Sequence, residues 1–193
     1  MHKLASDQLL TLESYARQRK DFRARVMAHK KRRTVHLGEH MTLLFEDRLT
    51  VQYQVQEMLR VERIFEPEGI ADELEAYNPL IPDGQNLKAT LLIEYPDIDE
   101  RQRALSALRG IEHVIQLIVS GHAAVRAVAD EDLERSNESK TSAVHFLRFE
   151  LAPAMIDAWK SGAVVTLAVD HPGYDARVAL DADTRVALAA DFA

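Results

Sequence analysis

None of the 193 residues is cysteine. That excludes disulfides, thiolate metal sites, iron–sulfur ligation by this chain and a thiol nucleophile. Glycine and proline are scarce, at 7 and 6, and no low-complexity tract or internal repeat is present, so the composition is that of an ordered globule. No stretch approaches the roughly 18 consecutive apolar residues that a membrane-spanning helix needs. The first residues lead into an amphipathic pattern instead of the unbroken apolar core of a signal peptide. A cytoplasmic protein without a membrane segment is expected.

The common catalytic signatures are missing as well. There is no G-x-S-x-G elbow, no phosphate-binding P-loop and no G-x-G-x-x-G fingerprint. No glutamate is followed three residues later by histidine, so the helical di-iron signature is absent. His29, His36 and His40 are close in sequence, and the last two have a helical ligand spacing. Gly38 lies between them, however, and favours an extended turn, so no metal site is expected. No cofactor is specified by any motif.

What the chain does have is apolar residues (47%) and an uneven charge. Between Arg17 and Arg33, nine basic residues face the single acid Asp21. That segment carries +8, and the rest of the chain, to reach −7 overall, carries −15. Arg23, Arg25, Lys30, Lys31, Arg32 and Arg33 are the candidate partner-binding residues, because such polarity steers an anionic partner. The same charges could instead dock the helix onto the protein's own acidic body.

Periodicity divides the chain into a helical front and an alternating back. Ser6 is expected to cap a first turn, and Tyr15, Phe22 and Val26 continue an apolar stripe. Met41–Phe45 reads as a short strand. A helix is predicted over Arg48–Phe65, with an apolar arc of Val51, Val55, Met58, Leu59, Val61 and Phe65. Pro67 opens another helix ending near Tyr77, and the turn cluster over 78–84 marks a lobe boundary. Leu87–Tyr95 alternates as a strand, and Asp97 and Glu100 offer a capping box for the helix after it. A hairpin is predicted from Val114–Val119 and Ala123–Ala129, then a helical turn over Asp130–Arg135. Ser142–Leu151 is another strand, Pro153 starts a short helix, Ala163–Val169 is an apolar strand, and a helix from Asp181 closes the chain. The expected fold is α+β, a helical N-terminal lobe packed on a mainly antiparallel sheet with short helices. It forms a single domain over 1–193, helical over 1–86 and sheet-containing over 87–193.

Two elements carry polar residues in unusual places. At 100° per residue, Glu46, Thr50, Tyr53, Glu57 and Arg60 fall on one narrow face of the central helix, where Glu57 and Arg60 are i,i+3 neighbours. On Ser142–Leu151, His145 lies among core residues while Arg148 is on the other face, which it could share with Glu94. Glu46, Glu57, Arg60, Glu94, His145 and Arg148 are therefore the candidate pocket, between the central helix and the sheet. The competing reading is a structural ion-pair network with a hydrogen-bonded core histidine.

Four stretches carry a resemblance: LESYARQRKDFRARVMAHKKRR (12–33), FEDRLTVQYQVQEMLRVERIFE (45–66), YNPLIPDGQNLKATLLIEYPD (77–97) and ERSNESKTSAVHFLRFEL (134–151). Together they resemble an uncharacterised bacterial protein family catalogued as a domain of unknown function. The likeness covers most of the chain and thins after about Pro153. It brings no catalytic residues. It does imply a redox or oxidative-stress context, with a rubrerythrin-like or iron–sulfur redox protein as partner.

Three functions stay open. The first, favoured by the absent nucleophiles and the basic helix, is a non-catalytic accessory or protein-binding factor. The second is a small-molecule-binding enzyme with a carboxylate- and arginine-lined pocket. Nucleic-acid binding through residues 17–33 ranks last, because only Phe22 supplies an aromatic within the basic block. If the protein assembles, a homodimer is the commonest form.

Overall fold

The computed structural model describes residues 3–193. Its helices are α1 (Leu12–Lys31), α2 (Arg48–Glu62), α3 (Pro67–Tyr77), α4 (Ile98–Ala107), α5 (Pro153–Lys160) and α6 (Ala182–Ala189). Its strands are β1 (Thr34–His36), β2 (Met41–Glu46), β3 (Asn86–Ile93), β4 (Ile115–Val119), β5 (Val125–Arg126), β6 (Val128–Ala129), β7 (Val144–Glu150), β8 (Val165–His171) and β9 (Tyr174–Ala179).

The strands form two sheets, ordered β1-β2-β3-β7-β6 and β5-β4-β8-β9, with antiparallel pairing throughout. The fold is α+β. Alternation in β3 and β7 sends Leu87, Ala89, Leu91, Leu147 and Phe149 inward, where they share one core with Leu117, Val119, Val165 and Leu167 of the other sheet. Trp159 of α5 and Leu188 of α6 close that core. A second, smaller core belongs to the helical lobe and holds Val51, Val55, Leu59, Leu74 and Ile81.

The inward face of each strand is buried, so the outward face of the five-stranded sheet carries the polar residues of the alternation. Thr42, Glu46, Lys88, Thr90, Phe146 and Arg148 all point that way, in registers that set Lys88 between Glu46 and Arg148. Residues 76–80, at the end of α3, hang over one end of this face.

Several expectations change. Thr11, not Ser6, caps α1, accepting from the Ser14 amide. The central helix stops at Glu62 because Arg63 adopts a left-handed conformation at φ 57°, and the Ile64 amide folds back to the Leu59 carbonyl. Val61 and Phe65 are thereby exposed. Asp97 caps α4 through the Glu100 amide. Asp130–Arg135 is an irregular bend, not a helical turn. The expected hairpin lasts only for β4 and β5, since the chain switches sheets at buried Ala127 and β6 pairs with β7. β1 and β2 place part of the first 86 residues inside the sheet. β1 and β9 are not foreseen, and the two meet through Gly38. That residue has φ 75°, and the Tyr174 hydroxyl lies where its Cβ would be. The hydroxyl donates to the Leu37 carbonyl and accepts from the His40 amide.

Candidate functional site

Of the six candidate pocket residues only Glu57 and Arg60 are joined, and the six do not converge on one pocket between the central helix and the sheet. The polar face of α2 meets α1 instead. Glu57 accepts from the Tyr15 hydroxyl at 2.6 Å, from Arg19 at 2.7 and 2.8 Å and from Arg60 at 3.1 Å. Hydrogen bonds from Arg19 hold its carboxyl down to about 2. Every acceptor lobe is taken by its own lobe's donors, which makes Glu57 a clamp between two helices.

Glu46 is also spoken for, by the hydroxyls of Thr50 (2.6 Å) and Thr90 (2.9 Å). Glu94 accepts from Thr42 at 2.6 Å. It shares the outer sheet face with Arg148, but the two are about 20 Å apart along the strands. His145 is fully buried. Its Nδ1 lies 2.6 Å from Asp130, its Nε2 2.8 Å from Thr141, and Thr141 donates to Glu112 at 3.0 Å. Ser136 closes the chain onto Glu112. This is a satisfied polar network inside the core.

The basic segment splits in two. Arg33, expected to meet a partner, is 1% exposed. It donates to the carbonyls of Phe45, Glu46 and Ala187 and to the carboxylate of Asp191, with Asp47 at 3.6 Å. Burial pushes Asp191 up to about 6 against the pull of Arg33. Burial also acts to raise Asp47, but Arg33, the Thr50 amide and His29 outweigh it, and its carboxyl lies below the usual range. His29 bonds Asp47 at 2.5 Å, well apart in role from His36, which bonds Thr42. Among the described residues no group of three His, Asp or Glu converges on a metal position.

The rest of the segment is open. Arg17, Lys20, Arg23, Arg25 and Lys31 of α1 and its C-cap Arg32 are exposed, and none forms an ion pair with a described residue. Lys30 is half-buried, its ammonium 6.0 Å from the Tyr53 ring, and Arg25 lies over Phe22 at 4.9 Å. Opposite buried Tyr15 and Val26, helical spacing puts Arg17, Lys20, Ala24, Ala28 and Lys31 on one line.

Arg148 lines a cleft of about 450 Å³ beneath residues 76–80. The same cleft holds Lys88, which is not among the candidate residues. The signal was present, since the alternation of Leu87–Tyr95 puts Lys88 on the outer face. What the pattern could not show was the overhanging turn.

Fold and surfaces together define an α+β protein of two antiparallel sheets and a helical lobe, bearing a basic helix and one covered cleft. The chain belongs to the family DUF3501, described as protein of unknown function, whose model matches residues 3–192. It is similar to a solved structure of a novel protein of unknown function from Burkholderia pseudomallei K96243, at 52% identity over 100% of both chains with a TM-score of 0.95. No curated protein matches it. No helix among the described residues is long and apolar enough to cross a membrane.

Proposed function

We propose that the protein is a non-catalytic accessory factor that docks an acidic partner protein through the outward face of α1. The carrying observation is that six exposed cations of this helix and its C-cap have no ion-pair partner among the described residues, although the rest of the chain carries −15. The body's acids reach the helix on its inner side, where Glu57 holds Arg19 and Asp47 holds His29, and not on this outward face. From Arg17 to Arg32 the face runs about 22 Å, and Ala24 and Ala28 at its centre let a partner's surface approach between two basic clusters. Complementary charge of this kind speeds encounter and fixes orientation. An acidic redox protein of rubrerythrin-like or iron–sulfur type is the partner we favour.

The test compares the wild type with the charge reversal Arg17→Glu, Lys20→Glu, Lys31→Glu in nuclease-treated lysate of the source bacterium. A stoichiometric acidic protein should be retained by the wild type, lost by the variant and released by added salt. Equal retention by both chains would overturn the docking face. A species retained only when the nuclease is left out would replace the acidic partner with nucleic acid.

A further inference from the structure

Most charged groups on the outer face of the five-stranded sheet are neutralised where they stand. In the cleft under residues 76–80, Arg148 is held by both oxygens of Glu131, at 2.8 and 2.9 Å, and by Glu150 at 2.6 Å. Arg135, which lies over Phe146 at 4.4 Å, donates to both oxygens of Asp132, each at 2.7 Å. Both carboxylates of the cleft wall are therefore occupied.

Lys88 is the exception. Its ladder neighbours are Glu46 and Arg148. Glu46 is bonded to the two threonines, and Arg148 is a like charge, which is unfavourable directly across a ladder. No hydrogen bond or ion pair joins the Lys88 ammonium to any described residue. The group is half-buried, and burial, more than the repulsion of Arg148, lowers its pKa, while the more distant charges of Glu131, Asp83 and Glu150 oppose the shift without bonding the ammonium. An ammonium has three donors and no acceptor, so the missing partner is an acceptor, best a negative one.

The other walls are apolar. Tyr77, Pro79 and Leu80 face Phe146 across the opening, and about 450 Å³ is within the range of small-molecule sites. We propose that this cleft binds a small organic monoanion, its carboxylate on Lys88 and its apolar body between Phe146 and the overhanging turn. One carboxylate is specified because one ammonium has donors that no described acceptor fills. A dianion would confront Glu131 and Asp132, whose charges are balanced but close. The proposal is independent of the docking face on α1.

Phenylacetate and its neutral analogue phenylacetamide provide the test, titrated into the isotope-labelled protein and followed by amide NMR shifts. Phenylacetate should perturb Lys88, Phe146 and Tyr77 and bind at least tenfold more tightly than the amide. Lys88→Met, an isosteric neutral change, should remove that preference while the spectrum stays folded. Tyr77→Ala should weaken both probes. Equal affinity for acid and amide, shifts centred elsewhere, or an undiminished preference in Lys88→Met would each overturn the assignment.

Discussion

Arg33 and Lys88 both lie beside Glu46, where the five-stranded sheet meets the helical lobe. Arg33 takes the backbone carbonyl of Glu46, and Lys88 is its neighbour in the ladder. Arg33 is enclosed, with carbonyls and carboxylates on all of its nitrogens. Lys88 is half-enclosed, with none. A buried charge costs several kcal/mol unless it is paired and hydrogen-bonded. The saturated cation is therefore a joint that ties the end of α1 to β2, α2 and the C-terminal segment. The unsaturated one contributes nothing to cohesion, and it keeps donors free for something the chain does not itself provide.

That contrast can be broken most directly at Arg33. Arg33→Met should cost about 3–5 kcal/mol in urea unfolding, because it leaves Asp47 and Asp191 buried without their cation. A loss below about 1 kcal/mol would mean that the joint does not hold the fold.

A smaller effect is expected from pH. The folded chain holds the Asp191 proton more tightly than an unfolded one would, with a carboxyl at about 6 against an ordinary 3.8. The stabilisation linked to that proton is complete below the ordinary value and lost as pH rises through about 6. Stability should therefore rise by about 1 kcal/mol as pH falls from about 7 to about 5. Asp47, held low, works in the opposite sense only as pH falls below its ordinary range. Asp191→Asn should flatten the slope, as read by thermal unfolding across that window; an unchanged slope would assign it to another group.

The smallest effect should come from Lys88→Met, which removes a cation that no described group bonds. Its unfolding free energy should stay within about 0.5 kcal/mol of wild type or exceed it. A loss of about 2 kcal/mol would place Lys88 with Arg33 as a structural cation and count against the cleft as a binding site.

How much of this was legible earlier depends on the range of the interaction concerned. The strand over Leu87–Tyr95 and its partner over Ser142–Leu151 could be read from alternation alone, and so could the burial of His145 and the outward direction of Arg148. β1 could not, because three residues after a basic helix are too short to show a period. β9 does alternate, with Tyr174, Ala176 and Val178 on one side, but the turn before it drew the boundary too early. The helical end at Glu62 depends on a left-handed Arg63, a residue type that gives no warning of that conformation. Among the site residues, the i,i+3 pair of Glu57 and Arg60 is local and forms as expected. Arg19 and Tyr15, which complete that cluster, come from a different helix.

Most of the elements, their inward faces and the concentration of positive charge in residues 17–33 follow from the order of residues, because side-chain periodicity and composition are properties of neighbours along the chain. The tertiary structure alone decided which of those charges would be neutralised. Arg33 finds Asp191 across 158 residues, while among the described residues Arg17 and Lys31 pair with no acid and Lys88, under a turn, bonds no acceptor. Desolvation and pairing are set by what lies within a few ångströms in space, and spacing along the chain carries no record of that.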